Sequence, residues 1–548
     1  MAFRKLHDTL FHKLIRACVL ILGVSGTVFS QSLAFDWSGQ FGLETEGGRL
    51  LWNRAWTSGP IVMDGTFAYF PQRYGKFISD DYKPVINGSF PTFRAQPDSE
   101  IVSSYIDYTR GDFLLDELEI GIKSARKHSS ISIGAFKRDF AGREGQFLVP
   151  YSDLPIQQSY KLDYRSDDEN TDLDVSAIRL ISNIGMPDDS STEVGSYKDE
   201  ILSGGMLWSS RTDKWLWTMQ VSEFNQKLKT DILAFPDLGS VRLNRTDWHG
   251  RLSSIKPIFP MDHLGFVSQS QTVNDSLIRS LKWSTIYAGW QSEHWDGNIG
   301  ITLPNNLTES QMYANFNHEF SLNNWHIATH ALIELAPRHY FDWIDDRRLD
   351  YETWYTGGFS IAKSWKSFEL NGTLSAGIRE QDGFESPFLS LGPAWKWEPF
   401  RRWFFNGNIN YSPDPIRESD GIGLRMNIGI QGTEWLFKDN MKTTLTIWAE
   451  TAGMRNQTSV FHPMFQKPIS IGDETTVEDY RIFNFRMDAV ISSVRIRYQI
   501  LNLMNAAYPI FSEWFPDATE ASTLFRPNPY FPQMGRRVSI TITWQFLD

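Results

Sequence analysis

Cysteine is all but missing from this sequence: Cys18 is the one cysteine in 548 residues. It sits in the apolar run from Ala17 to Phe29, with Arg16 two residues before it, which is a poor context for lipid attachment. A disulfide framework and thiolate metal sites are therefore excluded. Long apolar runs are missing too. Beyond residue 34 no stretch approaches the roughly 18 consecutive apolar residues of a membrane-spanning helix. A basic surplus is absent, since 53 Lys and Arg stand against 65 Asp and Glu for a net charge of -12. Nucleic acid is disfavoured as a partner by that sign, because phosphate neutralisation needs Lys and Arg in excess. Glycine-serine linkers, proline-rich hinges and shifts of composition are also wanting, so the length does not divide into several domains. No nucleophile elbow, phosphate loop or zinc-peptidase helix occurs. Neither an enzyme nor a cofactor nor a metal site is expected.

What is present begins with a basic start (Arg4, Lys5, Lys13, Arg16) followed by an apolar core and small residues. This pattern predicts a secretory signal peptide over residues 1–34, cleaved after Ser30 or Ala34. The mature chain, 35–548, then carries a net charge of about -15 and is expected to form one exported unit.

Aromatic residues make up 14% of the chain, with 21 Trp. They sit within a strict two-residue alternation, clearest in the final "GRRVSITITWQFLD". There Val538, Ile540, Ile542, Trp544 and Phe546 share one face, and Ser539, Thr541, Thr543 and Gln545 share the other. The same period runs through "IGLRMNIGIQ", "RIFNFRMDAV" from Phe483, "SVRIRYQI", "ELEIGIKS", "SYKLDYRS", "KWLWTMQV" and "FNGNINY". Each reads as a strand with one apolar and one polar face. Between a soluble sandwich and a membrane barrel, strands of about ten residues favour the barrel, since soluble strands average about five or six. Trp and Phe near strand ends, such as Trp215, Trp217, Trp403 and Trp544, match interfacial girdles.

Connection lengths agree with that choice. Short ones lie at 126–129, 212–214, 321–324, 438–440 and 492–493; long ones lie at 71–98, 140–156, 184–198, 338–350, 453–476 and 505–535. Outer-membrane barrels alternate short periplasmic turns with long external loops. The expected fold is an all-β, transmembrane antiparallel barrel of about 22 strands, within a range of roughly 16 to 24, with both termini periplasmic. Strands are expected to begin at "FDWSGQFGLETE", Phe35 to Glu46, while 225–260 does not resolve into clean alternation.

The last two strands resemble those closing the barrels of TonB-dependent receptors. The resemblance rests on Asn502, Leu503, Asn505 and Tyr508, then on Pro532, Gly535, Arg536 and Phe546. It covers about fifty residues, and Leu547 and Asp548 extend beyond the usual terminal aromatic. It implies a Gram-negative outer-membrane barrel, embedded in outer-membrane lipid and folded by the assembly machinery that reads the carboxy-terminal strand. Such receptors carry a plug of well over a hundred residues before the barrel, and no counterpart is evident here. The chain thus also resembles plugless barrels of the porin kind.

Inward-facing charges are the candidate functional residues, because an Arg facing lipid at midplane would cost about 2–4 kcal/mol. Arg425, Arg486, Asp488, Arg495 and Arg497 form the first candidate lumen wall, where Arg favours anionic solutes. They serve equally as a structural ion-pair network. A second wall comprises Glu117, Glu119, Lys123, Lys161, Asp163 and Arg165. His326, His330 and Glu334 share one strand face, but four residues along a strand is about 13 Å, too far for two imidazoles to hold one ion. Asp342, Asp345, Asp346 and Asp350 lack the glycine turn of a calcium loop. The main expectation is a porin-like channel for small polar solutes, its lumen narrowed by loops or by segment 47–98. The first alternative is a receptor-like barrel that imports a bulky ligand with a separate plug or a periplasmic or surface lipoprotein partner. The second is an outer-membrane enzyme or adhesin.

Overall fold

A computed structural model describes four short strands between residues 43 and 69 and, from Ile101 to Leu547, the strands of one wall with most of their short turns. Residues 1–42, 70–100 and most of the longer connections lie outside the described residues. So do the expected leader, most of segment 47–98 and the acidic residues 342–350.

Twenty-three strand segments close into a ring in sequence order, and every pairing between them is antiparallel. The first, Ile101–Gly111, pairs with the last, Arg537–Leu547, so that Thr109 faces Thr541 and Asp107 faces Thr543 across the seam. Two segments, Phe384–Leu391 and Ala394–Phe400, share one place, since both pair with Phe368–Gln381 and with Trp403–Tyr411. Pro393 between them has no N–H for the ladder. Gly392 and Thr373 bridge the interruption with reciprocal backbone bonds of 2.8 and 3.2 Å. The wall therefore has 22 strand positions, and an even number returns both of its ends to the same rim.

At that rim the connections are short, among them 127–128, 169–170, 323–324, 401–402 and 492–493. Asn323 and Asn324 have φ of 50° and 66°, the left-handed pair that a two-residue hairpin requires and that Asn tolerates. The opposite rim carries 140–155, 338–350, 412–423, 454–479 and 502–536. One expected loop is shorter than its sequence range: strands continue to Pro187 and restart at Val194, so 184–198 shrinks to 188–193. The wall also starts at Ile101 and not at Phe35. Leu43–Glu46 pairs with Arg49–Trp52 in a separate four-stranded sheet, and four residues reach only about 13 Å, half the height of a lipid-facing band.

The wall is inside out by the standard of a soluble protein. Ile106, Leu118, Ile120, Ile133, Leu162, Ile301, Ile447, Ile540 and Ile542 are exposed on its outer face. Asp107, Glu119, Gln157, Gln271, Asn298, Glu450 and Thr541 are buried on its inner face. From Val538 to Phe546 the outward positions climb about 26 Å along the strand, or about 20 Å once tilted, close to the height of a lipid-facing band. Trp215, Trp217, Trp295, Trp365, Trp397, Trp403, Trp435 and Trp544 are exposed near the short-turn rim and form a girdle there.

The strands Thr171–Pro187, Val194–Arg211, Trp215–Asp231 and Ser240–Ser254 outrun this band toward the long-loop rim. In that extension the polarity reverses. Arg179 and Glu200 pair on the outer face, beside the register positions of Lys198 and Lys227. On the inner face Ile178, Ile184, Ile201, Phe224, Leu228, Val241 and Leu243 are buried. A strand segment standing in water on its outside must bury its apolar side chains inward, and this reversal breaks the alternation over 225–260.

Candidate functional site

Inward-facing side chains on both sides of the closing seam form one continuous polar surface. Asp488 stands at its centre. Arg497 donates from Nε to Asp488 Oδ1 at 2.7 Å, and Arg486 Nε lies 3.1 Å from Oδ2. Across the seam Thr541 and Thr109 share a 2.7 Å hydrogen bond, and Thr543 donates to Asp107 at 2.6 Å. Tyr105 donates to Glu119 at 3.2 Å, and Arg138 donates through Nε to Gln157 at 2.7 Å. Lys161 with Asp163 and Arg165 with Asp174 continue the surface, each at 3.6 Å.

All five residues of the first candidate wall face inward by strand register, but they do not make one patch. Arg486, Asp488 and Arg497 meet, and Arg495 follows one inward step toward the short-turn rim, opposite Thr543. Arg425 lies apart. Its strand places Gln431 in the row of Thr446 and Arg486, six residues and about 20 Å along from Arg425. Glu117, Glu119, Lys123, Lys161, Asp163 and Arg165 also face inward and adjoin the Asp488 group through the closure. Thr541 was expected on the polar face of the last strand, whereas Thr109, Asp107, Arg138 and Gln157 were not singled out by sequence. Each occupies the polar phase of its strand, but their adjacency depends on the first strand pairing with the last.

A second inner network lies near the short-turn rim. His263 shares hydrogen bonds with Asp262 at 2.5 Å and Asn298 at 2.6 Å, while Arg251 donates to Gln291 at 2.6 Å. His249 and the Tyr287 hydroxyl are 2.5 Å apart. The Tyr287 ring lies flat against Gly265, where a Cβ would come within 2.2 Å of it, so only glycine admits the ring. His326 shares a 2.8 Å hydrogen bond with Ser321, and His330 stands two inward steps away opposite Gly358. Among the described residues no group of three or more His, Cys, Asp or Glu is arranged to hold a metal.

Several inward-facing polar side chains are shut off from water. Glu119 and Asn484 are 0% exposed, Arg138 1% and Glu450 2%. A ring of 22 strands is too wide for wall side chains to fill from both sides, yet these inward-facing polar side chains are closely packed.

The residues behind the terminal resemblance hold the wall together. Asn484 Oδ1 accepts the Asn502 N–H at 2.9 Å, and Asn502 Oδ1 accepts that of Asn505 at 3.4 Å, across the single helical turn Leu503–Ala506. Asn505 Oδ1 in turn accepts the Arg536 N–H at 2.7 Å. The two halves of the motif thus clasp each other at the long-loop rim. Tyr508 and Pro532 lie outside the described residues.

No family model matches the chain, and no curated protein matches it. Solved structures do. The ferric yersiniabactin uptake receptor FyuA of Yersinia pestis superimposes with a TM-score of 0.56 at 10% identity, over 82% of this chain and 81% of that one. The ferric enterobactin receptor PfeA of Pseudomonas aeruginosa gives 0.57 at 9%, over 83% and 82%. The copper transporter OprC gives 0.55 at 9%, over 83% and 82%. The fold is that of a TonB-dependent receptor barrel.

Proposed function

We propose that this chain is an outer-membrane receptor-type barrel that takes up a bulky ligand, with the short-turn rim in the periplasm. This reading replaces free diffusion of small solutes through an open porin-like channel. One observation carries it: the inner wall of a 22-strand ring is sealed from water at Glu119, Arg138, Glu450 and Asn484, whereas an open pore of that width would leave such side chains wet. The likeness to receptors for ferric yersiniabactin and ferric enterobactin and to a copper transporter supports it further. Ferric chelates are accordingly the first ligands to try. Arg495 and the Asp488 group give the lumen anion-binding donors, which suits a chelate of net negative charge. The barrel acts as a carrier without chemistry of its own, and a separate periplasmic or surface lipoprotein partner completes the uptake machine.

Planar-bilayer recording tests the proposal directly. The purified barrel is expected to stay closed at moderate voltage, and ferric chelates should bind with a saturable heat. Stable stepwise openings in the absence of any partner would return the chain to the porin-like reading.

A further inference from the structure

A cavity of about 740 Å³ lies on the outer face at the short-turn rim, between the turn 365–367 and the hairpin that joins Ala394–Phe400 to Trp403–Tyr411. Its aromatic lining is Trp397, Phe400 and Phe405, with the Trp397 and Phe405 rings 5.6 Å apart. Phe400 is 71% exposed, a large apolar side chain left bare at the level of the tryptophan girdle. Two cations stand in the same lining, Lys366 and Arg401, and neither has an ion-pair partner among the described residues. The one acid there, Glu398, is engaged, since its Oε1 accepts the Arg402 N–H at 3.1 Å. The neighbouring Arg402 has its own partner in Glu434 at 3.5 Å. Beside the cavity Lys363 lies 4.4 Å from the Trp325 ring centroid and 5.0 Å from that of Trp365. That pairing holds a third cation at the short-turn edge of the apolar belt.

We infer that this cavity is a binding site for the headgroup of an anionic phospholipid. The phosphate diester would sit between Lys366 and Arg401, and the acyl chains would descend over Phe400 and Phe405 onto the apolar wall. The chemistry selects this occupant over a soluble anion, because three of the eight lining residues are aromatic and continuous with the lipid-facing surface. It selects against a protein partner because the cations lie where girdle and headgroup region coincide. The inference rests on the orientation proposed above, with the short-turn rim at the periplasmic leaflet, but not on which ligand the lumen takes.

The test uses the full-length barrel in detergent, titrated with phosphatidylglycerol or phosphatidylcholine and followed by native mass spectrometry, for wild type and for the Lys366→Gln/Arg401→Gln double variant. Wild type should retain phosphatidylglycerol in preference to phosphatidylcholine. The double variant should lose about 30-fold in phosphatidylglycerol affinity, two surface cations contributing about fivefold each, and still run as a folded, heat-modifiable species. Inorganic phosphate should fail to displace the lipid. Equal retention of the two lipids by wild type, unchanged affinity in the folded double variant, or displacement by inorganic phosphate would each overturn the inference. If chelate binding fails while lipid selectivity persists, the uptake reading falls and this one stands.

Discussion

Neutralising the buried Asp488 should destabilise the barrel, and the cost should be shared with Arg497 and not with Arg425. The carboxylate has Arg497 Nε at 2.7 Å and Arg486 Nε at 3.1 Å. The side chains are 10%, 13% and 27% exposed for Asp488, Arg497 and Arg486. A pair of unit charges about 4 Å apart attracts by about 4 kcal/mol at an effective dielectric of 20, and the loss of hydration on burial offsets most of this. Both arginines keep other interactions, so the expected net loss for Asp488→Asn is about 1–3 kcal/mol. In a double-mutant cycle, Asp488→Asn and Arg497→Gln should couple by about 1 kcal/mol. Asp488→Asn and Arg425→Gln, on residues well separated along the wall, should add within about 0.5 kcal/mol. Reversible urea unfolding from phospholipid vesicles, read by tryptophan emission and by heat-modifiable gel mobility, measures all four species. Coupling to Arg497 no larger than coupling to Arg425 would refute the placement of this ion-pair group.

Three further outcomes follow from the same geometry. Ile542→Arg on the outer face should destabilise the folded barrel by about 2–4 kcal/mol, while Gln545→Arg on the inner face should stay within about 0.5 kcal/mol; equal effects in the vesicle titration would contradict the assignment of faces. Asn505→Ala removes the acceptor for the Arg536 N–H and should cost about 1 kcal/mol, with faster hydrogen exchange at Arg536 than at Thr541 as its signature. Gly265→Val would drive a Cβ into the Tyr287 ring; overpacking of about 1–3 kcal/mol should lower the refolded yield, and a further Tyr287→Ala change should restore it.

Much of the wall was legible because its physics repeats every two residues. A face that meets lipid accepts almost nothing but apolar side chains, so the alternation of "VSITITWQF" is written by the solvent on one side. The strand number followed from the same signal with connection length as punctuation. Phe35 to Glu46 shows where that signal misleads: its alternation is good, yet Leu43–Glu46 pairs locally and never joins the wall. Periodicity reports which face is wet and says nothing about which strand lies alongside. The inner surface was legible only as separate polar positions, since Asp488, Thr541, Thr109 and Arg138 become neighbours when residues more than four hundred apart in sequence pair at the seam.

The unreadable stretch over 225–260 is the most informative failure, because two solvents act on single strands there. Along Trp215–Asp231, Trp217 and Met219 face outward and are exposed where the apolar belt runs, whereas farther along Phe224 and Leu228 are the buried positions and face inward. An apolar residue stays favourable on both segments only if its phase shifts by one place where the strand leaves the hydrocarbon layer. The backbone makes no such shift: Trp215 to Lys229 stays in continuous register with Ser240–Ser254. The sequence changes phase while the ladder does not. A break in alternation within an otherwise regular strand therefore marks the upper edge of the lipid belt, and here it falls between Val221 and Phe224. Above that edge the wall is built as a soluble sheet with its apolar side turned into the lumen, which gives the long-loop rim a collar of paired strands that stands clear of the belt.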